Sequence, residues 1–284
     1  MDRKVAFKGQ PLTLVGRRIG EGQAAPPFTA AAVDLAPKSL ADYKNRIKVL
    51  TSFPSLDTPV CDLQVKEFNK RAAGMDKDVV VIGISQDLPF AQKRFCDANK
   101  IDRVTTLSDY KTNSFGINYG LLIKELHLLA RAVLILDKND VIRYIQVVDE
   151  VTHAPDYEAV LKGLEAVKAV PAVAAASTQA PSRCVPCEAG TPPLTQERVS
   201  QGLQRLKGWE LLDERKIKKA FGFKDFIEAK YFVDLVSVVA EEQGHHPGIR
   251  IAYNKVIITL STHAVGGLTD NDFILARIVD EITA

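Results

Sequence analysis

Residues 166–193 divide this chain into halves that share no pattern. Ala-Val-Lys-Ala-Val-Pro-Ala-Val-Ala-Ala-Ala-Ser-Thr-Gln-Ala-Pro-Ser, from Ala166 to Ser182, is rich in Ala, Pro and Ser and has neither the helical nor the strand period. Such a segment buries no continuous face and reads as a linker. The expected organisation is therefore a first domain over 1–167, a linker over 168–190 and a second domain over 191–284. The chain's 284 residues are long for one domain and comfortable for two. There is no internal repeat, so the two domains are unlike.

Charge and hydropathy exclude several partners. A formal net charge of +2 gives no reason to expect nucleic acid or an anionic membrane. No apolar run approaches the roughly 20 residues of a membrane span. Met1-Asp2-Arg3-Lys4 is charged, but no apolar core follows it as in a signal peptide. Instead Val5-Ala6-Phe7 and Leu12-Thr13-Leu14-Val15, joined through Lys8-Gly9-Gln10-Pro11, predict a β-hairpin. A cytoplasmic protein is expected. Thiols are kept reduced there, so the four cysteines suggest redox chemistry or metal before structural disulfides.

The first half alternates strand and helix. Ile47–Phe53 and Val79–Ile84 are apolar strands. Helices are expected from about Cys61 to Ala73, stopped by Gly74, and from Leu88 to Asn99 with Asp87 as N-cap. Ala132–Asp137 and Val141–Val148 form a hairpin around Lys138-Asn139-Asp140. Nearly continuous apolar strands in this order mean a buried mixed sheet covered by helices, an α/β fold.

Pro54-Ser55-Leu56-Asp57-Thr58-Pro59-Val60-Cys61 joins the end of a strand to the start of a helix. Unpaired N–H groups and the helix dipole favour an anion there, and so a thiolate. Thr58 lies close enough to donate to the sulfur or to a bound oxygen, and an arginine nearby would favour the anion further. Alone, each residue has a blander reading. Cys61 and Cys96 would be small core hydrophobes, Thr58 a helix cap and Arg131 a surface salt-bridge partner.

The P-x-x-x-T-x-x-C spacing resembles the active-site loop of peroxiredoxins. Asp87-Leu88-Pro89-Phe90-Ala91, Arg94-Phe95-Cys96 and Leu128-Leu129-Ala130-Arg131 extend the resemblance to the bacterial thiol peroxidase branch, over roughly residues 3–165. It implies a thioredoxin-like fold that reduces hydroperoxides, with Cys61 as the peroxidatic cysteine, which becomes a sulfenic acid. It further implies Cys96 as the resolving cysteine, Thr58 and Arg131 orienting the peroxide, Pro54 shielding the site from water, and thioredoxin as reductant. A disulfide needs Cα atoms about 4.4–6.8 Å apart. Cys61 and Cys96 are expected farther apart when reduced, so turnover requires local unwinding.

The second half reads as α+β, with a small antiparallel sheet on helices. Phe226, Ala229, Val233, Val236 and Ala240 share a helix face, and Gly244 ends that helix. Ile249–Tyr253 and Val256–Leu260 are strands turning near Asn254. Thr269-Asp270-Asn271-Asp272 starts a last helix in capping-box style. Three of the five histidines fall here: His245, His246 and His263. His263 is expected at the end of the strand Lys255–Thr262. Zinc is one reading of the cluster, although the spacing fits no familiar ligand pattern. General acid–base work is the other.

Glu241-Glu242-Gln243-Gly244-His245-His246-Pro247, Tyr253-Asn254-Lys255-Val256, Leu260-Ser261-Thr262-His263 and Gly267-Leu268-Thr269 resemble the pterin-4a-carbinolamine dehydratases, as do Pro192-Pro193-Leu194-Thr195 and Gly208-Trp209. This resemblance runs from about Cys184 to Ala284. It implies dehydration of 4a-hydroxytetrahydropterin to quinonoid dihydropterin by His245, His246 and His263 jointly. Glu241 and Asp272 would orient a histidine or bind the pterin. Glu241 has the blander reading of a solvated carboxylate, and Asp272 that of a helix cap.

The expectation is a bifunctional enzyme without cofactor or metal. Its partners are thioredoxin, a hydroperoxide and a pterin, and a homo-oligomer is expected because both families commonly assemble. A rival reading makes the second domain a dimerisation or partner-binding module. A general disulfide oxidoreductase would want C-x-x-C at Cys61, but Gln64 stands there. Cys184-Val185-Pro186-Cys187 is a lone C-x-x-C, redox-active or half a zinc site, and similar cysteines start many relatives of the dehydratase.

Overall fold

The computed structural model describes residues 3–169, 183–185 and 192–282. The chain divides into two compact units, Met1–Thr178 and Gln179–Ala284. Most of the expected linker, Cys187 included, lies outside the described residues. The last helix of the first unit continues to Ala169.

The first unit opens with the expected hairpin, β1 (Arg3–Phe7) and β2 (Gln10–Val15). Lys8 and Gly9 form its two-residue turn at φ 52° and 78°, the left-handed pair of a type I′ turn. There follow β3 (Ala30–Ala31), β4 (Pro37–Lys38), β5 (Ile47–Ser52), α1 (Pro59–Ala72), β6 (Val79–Ser85), α2 (Pro89–Asn99) and β7 (Val104–Ser108). The unit closes with α3 (Ser114–Asn118), β8 (Leu122–Ile123), β9 (Leu128–Leu129), β10 (Ala132–Leu136), β11 (Ile142–Val147) and α4 (Tyr157–Ala169).

A seven-stranded mixed sheet in the order β11-β10-β5-β6-β7-β3-β4 is the frame. The β5–β6 and β6–β7 pairs are parallel, and β10 runs antiparallel to β5. Every residue of β5, β6 and β10 is buried, which is why these strands read as largely apolar runs. One face packs Val49, Val81 and Val133 against Cys61, Val65 and Phe68 of α1 and Leu164 of α4. The other packs Leu50, Ile82 and Leu134 against Phe28, Phe115 and Tyr119. Lys48 is the charged exception within β5, and its ammonium is paired with Asp140. A smaller sheet, β1-β2-β8-β9, was legible only as its first hairpin.

Two helix starts differ from expectation. α1 begins two residues early, at Pro59, because proline suits the first helical position. Cys61 is thus its third residue. α2 is preceded by Leu88, not capped by Asp87. The Asp87 carboxylate instead accepts from Ser55 Oγ at 2.7 Å, Leu56 N at 2.8 Å and Ser85 Oγ at 2.8 Å. It ties the loop before Cys61 to the end of β6.

The second unit contains α5 (Gln196–Gln204), β12 (Glu210–Leu212), β13 (Lys216–Gly222), α6 (Phe226–Gln243), β14 (Gly248–Ala252), β15 (Lys255–Leu260) and α7 (Asp270–Ile282). Its sheet is antiparallel, ordered β12-β13-β15-β14, and α6 packs on α7 and β15. Buried Trp209 donates its indole N–H to Asp280 at 3.1 Å, pinning the start of β12 to the end of α7. No described helix is long and apolar enough to cross a membrane.

Glu150 gives the first unit a pH-dependent clasp. Its carboxylate accepts from the Lys8 and Gly9 N–H groups at 3.0 Å each and from Thr152 Oγ1 at 2.7 Å. These bonds, the Gly9 one foremost, lower its pKa from an ordinary 4.5 to about 2. A depressed carboxyl stabilises the fold above its unfolded value and loses that contribution as pH falls through the folded one. Glu150→Gln should therefore lower Tm at pH 7, with the difference from the parent closing as pH drops from 4.5 toward about 2. A difference constant with pH in thermal melts would contradict the clasp.

Candidate functional sites

The first site is built where β5 ends, α1 begins and β10 begins. Cys61 is 0% exposed. Its Sγ takes the Thr58 hydroxyl at 2.8 Å and the Arg131 guanidinium at 3.3 Å. Thr58 occupies the N-cap position but makes no side-chain cap bond; besides the sulfur, its hydroxyl reaches Ser55 O at 3.0 Å. The capping reading thus gives way to a contact with the thiol. Pro54, at the start of this loop, is buried.

Arg131 is not a surface ion-pair partner, being 1% exposed. Its Nε and Nη2 donate to Val151 O at 3.1 and 2.9 Å, and its Nη1 donates to Gln64 Oε1. Gln64 in turn donates to Thr51 Oγ1 at 2.6 Å. A buried guanidinium held by three acceptor contacts keeps one face for the sulfur. Sequence reasoning noticed Gln64 only as a residue that is not cysteine. The available signal was its spacing: three residues after Cys61, it shares the helix face turned to the sheet.

Cys96 lies on α2, half-buried, with its sulfur 3.6 Å from Thr106 Oγ1. Neither Cys61 nor Cys96 is in a disulfide. The two helices are neighbours, since Lys66 of α1 sits over the Phe95 ring, 6.0 Å from its centroid. Burial holds the Cys96 thiol above its ordinary value; Thr106 and Lys93 pull it down and Asp97 pushes it up.

The second site lies between the end of α6 and the start of α7. The chain leaves α6 at Gly244, φ 61°, a left-handed turn that glycine adopts without strain. The His245 N–H closes back on Ala240 O at 3.1 Å, which aims the ring at α7. There His245 Nε2 meets Asp272 Oδ1 at 2.8 Å. Asp272 is 0% exposed, and its other oxygen accepts from Thr262 Oγ1 at 2.9 Å and Thr269 N at 2.8 Å. It both closes the start of α7 and holds the histidine, so the two readings of this residue are compatible. With Oδ2 already accepting two hydrogen bonds, an N–H at His245 Nε2 is the donor that suits Oδ1.

His246 and Glu241 form a separate, exposed pair at 2.9 Å, with side chains 64% and 81% accessible. His263 is not at a strand end: β15 stops at Leu260, and His263 begins a 3-10 turn to Val265, exposed. Thr262, bonded to Asp272, connects it to the His245 pair. Among the described residues, no group of three or more His, Cys, Asp or Glu is placed to hold a metal.

The comparisons follow the two units. The family described as Redoxin matches residues 20–161, and the family described as Pterin 4 alpha carbinolamine dehydratase matches residues 192–282. The chain is 51% identical over 160 residues to a thiol peroxidase of Oceanobacillus iheyensis, covering 56% of this chain and 97% of that protein. It is 49% identical over 167 residues to a thiol peroxidase of Bacillus subtilis, covering 59% and 98% respectively. A crystal structure of a peroxiredoxin-like protein from Aquifex aeolicus superposes with a TM-score of 0.55 at 41% identity, over 59% of this chain and 98% of that one.

The environment of Cys96 makes a direct prediction. A thiol held above its ordinary value has less thiolate at a given pH, so alkylation should be displaced to higher pH. In Cys61→Ser protein, mass-spectrometric labelling of the Cys96 peptide with iodoacetamide should reach its half-maximal rate at higher pH in the folded chain than in urea. Coincident profiles, or a folded profile at lower pH, would contradict the assignment.

Proposed function

The chain belongs to the redoxin family as a thiol peroxidase and carries a pterin 4 alpha carbinolamine dehydratase domain after it, and we propose that Cys61 and the His245–Asp272 pair are the chemical centres of these two enzymes. We take residues 1–167 as the peroxidase and 191–284 as the dehydratase.

One observation carries the peroxidase assignment: a fully buried sulfur with a hydroxyl donor on one side and a guanidinium on the other. The Cys61 thiolate attacks the terminal oxygen of a hydroperoxide. The O–O bond breaks, the hydroxyl passes to the sulfur as a sulfenic acid, and the alkoxide takes a proton from solvent and leaves as the alcohol. Thr58 and Arg131 donate to the peroxide oxygens and to the charge that builds as that bond breaks. Pro54, buried at the start of the loop, keeps water from the sulfur. The Cys96 thiol then condenses with the sulfenic acid, giving the Cys61–Cys96 disulfide and water.

Cys61 is enclosed and Cys96 faces Thr106, so the start of α1 and the region around Cys96 open for this step. Thioredoxin, as its dithiol, reduces the disulfide by exchange and leaves oxidised.

In the dehydratase, the 4a-hydroxyl of the tetrahydropterin departs as water after receiving a proton, and the ring loses a proton to give the quinonoid dihydropterin. His245, oriented by Asp272, supplies one proton-transfer group, and exposed His263 and His246 supply the opposite role. Buried Asp272 acts through His245 and not by touching the pterin; Glu241 holds His246.

A paired assay on one preparation tests both centres. Cys61→Ser should abolish thioredoxin-coupled hydroperoxide consumption. Cys96→Ser should still consume about one equivalent of hydroperoxide per chain but fail to turn over with thioredoxin. His263→Ala should lower dehydration by about 10²–10⁴-fold, the range of a lost acid–base group, with peroxide turnover unchanged. Full dehydratase turnover in His263→Ala, or sustained thioredoxin turnover in Cys96→Ser, would overturn the corresponding half.

A further inference from the structure

We infer that residues 183–185, ahead of the dehydratase domain, are a strap that positions its His245–Asp272 pair. The inference rests on the assignment of that pair as a chemical centre. It comes from where the strap is tied. Cys184 is 7% exposed. Its backbone N–H donates to Gln243 Oε1 at 2.8 Å, and its sulfur lies 3.6 Å from Asn271 O. Val185 is clasped by one side chain in both directions: its N–H donates to Asn271 Oδ1 at 3.0 Å, and its carbonyl accepts from Asn271 Nδ2 at 2.7 Å. Val185's own side chain is 67% exposed, so backbone and not packing holds this residue.

The two anchors are the immediate neighbours of the working pair. Gln243 is the last residue of α6, one glycine before His245. Asn271 immediately precedes Asp272 at the start of α7. Both anchors are buried, at 6% and 5% exposure. The strap therefore bridges the two backbone segments whose separation sets the 2.8 Å contact between His245 Nε2 and Asp272 Oδ1. The strap thus adds backbone-anchored ties beside the His245–Asp272 contact, which must stay aligned during proton transfer. A displacement on the scale of 1 Å at such a contact is enough to cost a large factor in rate.

The test cuts the ties from both sides. Cys184→Pro removes the N–H that Gln243 accepts, and Val185→Pro removes the one that Asn271 accepts. Asn271→Ala cuts the same tie from the domain side. In the full chain, each should lower the dehydratase kcat by about tenfold, with KM changed by less than about twofold. The limb of the pH–rate profile that reports His245 should move in the same direction in all three variants. Equal kcat and an unmoved profile in Cys184→Pro and Val185→Pro overturn the strap. So does a rise in KM at constant kcat, which would mean a substrate contact. If Asn271→Ala fails to fold, the two proline variants decide alone. His245→Ala in the same assay separates the premise from the inference: full activity there refutes the assignment of the pair, whereas its loss beside unaffected proline variants refutes only the strap.

Discussion

A guanidinium buried beside a sulfur is the contact on which the first unit turns. Arg131 is 1% exposed and touches Cys61 Sγ, Gln64 and the Val151 carbonyl. A buried cation without acceptors would cost several kcal/mol, so its surroundings are constrained in turn. Gln64 must face the sheet, Val151 must bring its carbonyl back after β11, and α1 must begin at Pro59 so that Cys61 arrives on its first turn. The central sheet supplies the rigid frame: the β5–β10 pairing sets Ser52 opposite Ala132, so the strand leading into the Cys61 loop and the strand following Arg131 lie side by side.

The second unit uses the same logic with opposite charge. There a buried carboxylate, Asp272, holds a half-buried imidazole, and Thr262 and the Thr269 N–H complete its shell. In both units a side chain with candidate chemistry, Cys61 or His245, is held by a buried charged partner, Arg131 or Asp272. A side chain fixed by buried contacts of this kind does not spend binding energy on its own alignment.

Much of this was legible in the sequence, and the reasons differ by element. Buried strands such as Val79–Ser85 announce themselves as unbroken apolar runs, and the Lys8-Gly9 turn needs the left-handed conformation that its glycine permits. The Pro54–Cys61 loop is legible because its spacing is local. Gln64 and the true role of Asp87 were not. Gln64 meets Arg131 across 67 positions of sequence, and Asp87 meets Ser55 across 32. Asp87 stands where a cap would stand, and its long-range partners outcompete the helix it precedes. The same competition moved His263. Thr262 bridges Gly267 and bonds to Asp272, which ends the strand early and turns the next residue out on a 3-10 turn. Tertiary hydrogen bonds of this kind leave no period for a sequence reading to find.

The central claim is that Arg131 activates and positions Cys61 through its forked geometry and not merely through its charge. The most direct measurement is the rate at which Cys61 gains one oxygen, followed by quenched-flow intact-mass spectrometry on Cys96→Ser protein given substoichiometric hydroperoxide, with and without Arg131→Lys. Lysine keeps the charge but cannot hold Val151 O and Gln64 Oε1 while reaching the sulfur. The account predicts that oxidation slows by about 10²-fold or more in the lysine variant. Oxidation at the parent rate would contradict it.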